Sequence, residues 1–287
     1  SMSLLLKPYW RAALAVFGAA LTLYLIYASW RQFYPVTAAA GWEVQVYRDE
    51  IPMVSALALD GQGDLYISQE IASGKGKILK LTPDGSLTEI LSGLSKPDGQ
   101  VIFRGGLVTG QEGGKLPVLW LRNGQTETLF EGNGIEGIAT DGQVLYAIED
   151  ARPGRLLRFT PDSGELSVLR DGLDDGEGVS LCADGRLFYT EKRQGWVKQW
   201  QAKGPDIVVA DGLNAPGFVQ CTADGLWITE DATHMARVLL LDTSGQLQVI
   251  LTHLRSAQTI IPLAAGSYLL AEQGRQRILK LARPASF

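Results

Sequence analysis

The sequence predicts an all-β fold: a six-bladed β-propeller whose last blade is closed by an N-terminal strand, preceded by one transmembrane helix. Three observations predict it. A unit of four short strands recurs along the chain, Asp-Gly turns fall at matched places within that unit, and one long apolar segment stands near the N-terminus. The 287 residues are 46% hydrophobic and include 33 glycines, which suits a large core interrupted by many turns.

The apolar segment comes first. Ser1-Met2 reads as a cloning remnant ahead of the natural start. From Ala12 to Trp30 there are 19 residues without a charge, and a helix of that length just crosses a hydrocarbon core of about 30 Å. Tyr9, Trp10, Tyr27, Trp30, Phe33 and Tyr34 flank it as an interfacial belt. Lys7 and Arg11 precede it and only Arg31 follows, which places the N-terminus in the cytoplasm and the remainder in the periplasm or outside the cell. A cleaved signal peptide ending at Ala38-Ala39-Ala40 is the alternative. The domain reading is an anchor over 1–31, a tether over 32–40 and the propeller over 41–287.

Residues 42–48 alternate as a single strand. The repeated units then open at Ser55, Asp98, Glu136, Glu177, Pro216 and Gln258, at intervals of 43, 38, 41, 39 and 42 residues. A four-stranded unit with a period near 40 is a propeller blade. Glu136 to Glu149 shows the pattern most plainly: an apolar run, the Asp141-Gly142 turn, and a second apolar run, which together read as a hairpin. The last unit stops after three strands, so residues 42–48 supply its fourth and remove the open edge.

First strands line the axis of a propeller, so equivalent residues form rings. The openings above make one ring. The ends of the second strands, Gln69, Gln111, Glu149, Glu191, Glu230 and Glu272, make another on the same face. Asp98, Glu136 and Glu177 lie on consecutive blades, and three converging oxygen ligands suit a divalent cation, Ca²⁺ first and Mg²⁺ or Mn²⁺ next. The competing expectation is a hydrated mouth whose acids pair with Arg152, Arg155, Lys192, Arg193 and Arg275. Glu149 and Glu191 are the candidate general bases; Glu230, His234 and Arg193 are the candidate substrate contacts. Gln69, Gln111 and Glu272 are expected to hold loops.

Composition excludes several classes. Lys7, Arg11 and Arg31 are the only charged residues among the first forty, so all 31 acids lie beyond them against 23 bases. An acidic body of this kind does not suit a nucleic-acid partner. Two histidines cannot build a His-rich metal centre. Cys182 and Cys221 occupy equivalent positions in neighbouring units; buried unpaired thiols are expected, with a disulfide as the alternative. There is no Gly-x-Ser-x-Gly elbow and no Gly-rich phosphate loop.

The segments Lys96-Pro97-Asp98-Gly99, Asp175-Gly176-Glu177-Gly178 and Leu226-Trp227-Ile228-Thr229-Glu230 resemble those of the calcium-dependent six-bladed propellers. That superfamily comprises gluconolactonases, paraoxonase-like lactonases and strictosidine-synthase-like proteins, and NHL-type repeats share the blade pattern. The resemblance runs from Gly41 to Pro284. It implies a cation on Asp98 and on Glu136 or Glu177, and hydrolysis of a small-molecule lactone or ester. The first blade opens with Ser55, where the lactonases place a Glu ligand, and no opening is an Asn. Strictosidine-synthase-like members lack the metal. The alternative function is a non-catalytic platform docking a membrane-protein partner; a sensor of small cationic ligands is a third.

Overall fold

The structure is a computed structural model and describes residues 7–284; the Ser1-Met2 remnant expected above lies outside them. It divides into two units, Ser1–Val36 and Thr37–Phe287.

The first unit is one α-helix, Lys7–Phe33. Its apolar side chains, among them Leu14, Phe17, Leu21 and Ile26, are exposed. Pro8–Phe33 is long and apolar enough to cross a membrane. Near its C-terminal end Tyr27 and Trp30 pack with ring centroids 6.3 Å apart. The helix runs two residues past the 1–31 boundary read from the charge pattern.

The second unit is a six-bladed propeller. Blade one consists of Val54–Leu59, Leu65–Gln69, Gly76–Leu81 and Leu87–Leu94. Blades two to five occupy residues 100–133, 135–173, 176–210 and 216–254, each an antiparallel sheet in chain order. Blade six takes three strands from Ala257–Ala264, Ser267–Glu272 and Arg277–Ala282. Its fourth is Glu43–Arg48, paired to Arg277–Ala282 in the register Glu43↔Ala282 and Val46↔Leu279. Closure by the N-terminal strand is therefore as the sequence predicts. Within the expected tether, Thr37–Ala38 forms a short fifth strand on blade five, pairing with Thr252 and Leu251. It covers part of an edge that would otherwise present unpaired N–H and C=O groups.

Each first strand packs against the first strands of both neighbouring blades. Apolar clusters fill the wedges between blades: Phe103, Trp120 and Phe130 of blade two meet Ile138, Leu145 and Phe159 of blade three. Between blades five and six the filling is aromatic. Trp227 stands edge-on to Trp42 at 5.4 Å and lies 4.6 Å from Tyr268.

The expectation of unpaired thiols is corrected: Cys182 and Cys221 form a disulfide between blades four and five, with Cα atoms 5.2 Å apart. Their equivalent positions toward the C-terminal ends of adjacent first strands, Cys182 just past Leu181 and Cys221 within Pro216–Thr222, bring them together, a proximity that spacing along the chain does not reveal.

Candidate metal centre

The site is built by a repeated irregularity. In blade three Ile135 pairs with Glu149 and Ile138 with Ala147, so Glu136 and Gly137 together oppose Ile148. The same shift follows Val54, Gly176, Pro216 and Ala257. A β-bulge adds one residue and re-aims its side chain. Here it selects Ser55, Glu136, Glu177 and Gln258. In blade five the residue at the bulge is Gly217, so the assignment of Pro216 to this ring is corrected: Pro216 is the paired residue before it. Hydroxyls in the second strands satisfy bulge amides, with Ser68 accepting from the Ala56 N–H at 2.8 Å and Thr190 from the Gly178 N–H at 2.8 Å.

Glycine follows each axial acid because the first strands touch backbone to backbone. A Cβ on Gly99 would stand 1.8 Å from the Glu136 carbonyl oxygen, and one on Gly178 would stand 2.5 Å from that of Gly217. This close approach brings carboxylates from different blades together. Asp98, Glu136 and Glu177 are at most 3% exposed.

Two groups of acids result. Ligand oxygens of Glu70, Asp98, Glu112 and Glu136 lie within 4.8 Å of one another, as do those of Glu136, Asp150 and Glu177. Asp98 and Glu136 of the expected triad therefore share one group, and Glu136 and Glu177 share the other. Asp98 Oδ1 accepts the Ser55 hydroxyl. Lys96 Nζ stands 2.8 Å from Glu112 and 3.7 Å from Glu70. Lys192 Nζ lies between Glu177 at 3.0 Å and Asp231 at 2.9 Å. One carboxylate oxygen each of Asp98, Glu112, Glu136 and Glu177 is buried without a hydrogen-bond partner.

Burial, followed by neighbouring acids, pushes the Asp98 and Glu136 carboxyls well above their ordinary range. Burial raises Glu177 to about 8 against the pull of Lys192. Burial and then Glu112 raise Glu70 to about 7. For Glu112 burial is outweighed by the adjoining Glu136 carboxyl and by Lys96, leaving it below its usual value. Burial also opposes the Lys192 ammonium, but Glu177 and Asp231 more than offset it.

The second ring lies one residue beyond the positions read from the sequence. The residues that end the second strands turn to the loops. Glu149 is forked to Arg155 and accepts the Asn133 N–H at 2.7 Å. Glu191 accepts from Asp174 N–H, Trp196 Nε1 and Lys198. Glu230, fully buried, accepts the Asn214 N–H and the Arg237 fork. Gln111 and Glu272 accept loop amides in the same way, and Gln69 donates its side-chain amide to the Pro52 carbonyl. Facing the acidic groups are instead Glu70, Glu112, Asp150, Lys192 and Asp231, because successive side chains of an extended strand alternate. Arg193 is exposed, 3.8 Å from Asp174, and it is Lys192 that reaches Glu177. His234 is half-buried in the loop after Asp231. Had the alternation been carried one residue past each second strand, it would have found the missed acids.

From Asp98 the channel opens into a cavity of about 410 Å³ lined by first-strand residues such as Leu57, Ile138, Val179 and Phe218.

No family model matches the sequence, and no curated protein matches it. Solved structures do. A gluconolactonase of Xanthomonas campestris superposes with a TM-score of 0.72 at 15% identity, over 86% of this chain and 91% of that one. The two chains share the six-bladed propeller fold. A structural-genomics target described as a gluconolactonase candidate gives a TM-score of 0.67 at 13% identity, over 86% and 94% of the two chains. A chain of the nidogen/laminin complex gives 0.60 at 16%, over 80% and 84%. The gluconolactonase-like and NHL-like resemblances drawn from the sequence thus both find counterparts at the level of fold.

The donors in both acidic groups are all carboxylate oxygens, which hard divalent cations prefer. The buried oxygens without partners on Asp98, Glu112 and Glu136 are what such an ion would satisfy, so the residues fit a cation at this mouth.

Proposed function

We propose that the protein is a membrane-anchored, extracytoplasmic hydrolase of small lactones or related esters, dependent on a divalent cation, Ca²⁺ first. The observation that carries this reading is the buried group Glu70, Asp98, Glu112 and Glu136, three of whose members keep an oxygen without a partner. When bound there, the ion would supply Lewis-acid polarisation of the ester carbonyl and a more acidic water. Asp98, fixed by Ser55, and Glu112 and Glu136 would hold it. Glu70, the least buried of the four, takes the proton from water, the part the sequence reading gives to Glu149 and Glu191. Those two are committed to loops. Lys96 balances charge beside Glu70 and Glu112, and His234, in the loop after Asp231, stays the proposed substrate contact.

The charge asymmetry about the helix supports an N-terminus in the cytoplasm. The Cys182–Cys221 disulfide supports a propeller outside the cytoplasm, since disulfides persist in oxidising surroundings. A protein-docking platform is the competing reading, favoured by Ser55 standing where an acidic ligand is expected.

The test uses the detergent-purified full chain, stripped with chelator, titrated with Ca²⁺ by calorimetry and assayed on a lactone panel by pH-stat. Turnover that vanishes in Asp98→Asn and Glu136→Gln, with Ca²⁺ binding reduced in each, supports the hydrolase. Wild-type turnover in both variants overturns it.

A further inference from the structure

We infer that this mouth holds two divalent cations, bridged by Glu136. The inference rests on the hydrolase reading for its first ion and adds a second site. Geometry argues for two positions. Oxygens bound to one Ca²⁺ at about 2.3–2.6 Å can stand at most about 5 Å apart, and each acidic group fits that span separately, with its oxygens within 4.8 Å of one another. Among the described residues the two groups have only Glu136 in common. Glu70, Asp98 and Glu112 come from blades one and two, while Asp150 and Glu177 come from blades three and four. Glu136, on blade three, lies between the sets. A carboxylate has two oxygens, and bridging two ions roughly 3.5–4 Å apart is a common use of one.

Buried oxygens without partners occur on both sides. Asp98 and Glu112 have one each in the first group, Glu177 has one in the second, and Glu136 has one between them. A single ion in the first group would leave that of Glu177 unmet. Glu177 is 2% exposed, so bulk water does not satisfy it.

Charge argues the same way. Glu70, Asp98, Glu112, Glu136, Asp150, Glu177 and Asp231 face two ammonium groups, Lys96 beside the first group and Lys192 beside the second. Each lysine pairs with acids of its own side, Lys96 with Glu70 and Glu112 and Lys192 with Glu177 and Asp231. One divalent ion leaves an excess of three negative charges on these side chains; two ions leave one. Lys192 engages only one oxygen of Glu177, leaving the other for a metal.

The experiment is Mn²⁺ loading of the chelator-stripped full chain, followed by elemental analysis and electron paramagnetic resonance. Two Mn²⁺ per chain with an exchange-coupled spectrum are expected. Glu177→Gln and, separately, Asp150→Asn should each retain one Mn²⁺ with an isolated six-line signal; the second leaves the Lys192 ion pair intact. Glu136→Gln should abolish the coupling. One Mn²⁺ per wild-type chain, lost in Asp98→Asn, overturns the pair and leaves the single-ion hydrolase standing. No bound Mn²⁺ overturns both, and two uncoupled ions indifferent to Glu136→Gln overturn the bridge.

Discussion

Glu149 and Asp150 are neighbours with opposite assignments, and the difference is one step of strand alternation. Glu149 holds Arg155 and the Asn133 N–H in the loop, while Asp150 joins Glu136 and Glu177. Replacing Glu149 by Ala leaves the Asn133 amide without its acceptor, which costs about 1–3 kcal/mol. Thermal melting should therefore fall in Glu149→Ala while Mn²⁺ stoichiometry holds. Asp150→Asn should do the reverse, keeping the melting temperature and losing an ion. The sequence shows that acids crowd the channel mouth, because their spacing repeats with the blades. Which of two adjacent residues faces in is decided by the alternation of the second strand, and the inward-facing acid lies one residue past that strand's end, beyond where the sequence reading stopped.

At the scale of the strand, the bulges of five blades and the glycine that follows each axial acid make the site possible. Gly99 has no room for a side chain, because its Cβ would overlap the Glu136 carbonyl oxygen. Gly99→Ala must push two axial strands apart, and overpacking backbone against backbone should cost more than about 3 kcal/mol. Gly61→Ala, at a turn with nothing within 4 Å, should stay within about 0.5 kcal/mol. Urea unfolding of the two variants checks the contrast; equal costs would mean that the axial strands are not in contact as described. The strands and turns were legible because alternation and Asp-Gly pairs are local signals. The closing strand 42–48 was legible by elimination, since the last blade lacked one. The disulfide was not legible, because the approach of Cys182 to Cys221 is a property of blade packing. Reducing that bridge, which spans 39 residues, should lower stability by about 2–4 kcal/mol, read as a lower urea midpoint under reductant.

Across the whole molecule, the ring closes by strand exchange between its ends and by acids brought together from four blades, so stability and the occupancy of the mouth are linked. Glu177 is held up to about 8 and Glu70 up to about 7 in the folded protein, mainly by burial, whereas an unfolded Glu ionises near about 4.3. The native state therefore binds those protons more tightly than the unfolded chain does. Their contribution to stability is complete below about pH 4 and is lost as pH rises through the folded values. Asp98 and Glu136, also raised, add to the same trend. With chelator present, the melting temperature should decline between pH 5 and pH 8.5, by roughly 2–4 °C for each kcal/mol lost in a domain of this size. On the metal-dependent reading proposed above, Ca²⁺ binds the native arrangement alone, so its addition should restore the loss at pH 8.5. At pH 5 protons already occupy the acids and the same addition should shift the melt little. A metal-free melt that rises steadily from pH 5 to 8.5 would show that these carboxyls are ionised and paired in the folded protein, and would remove the electrostatic demand for a cation at the mouth.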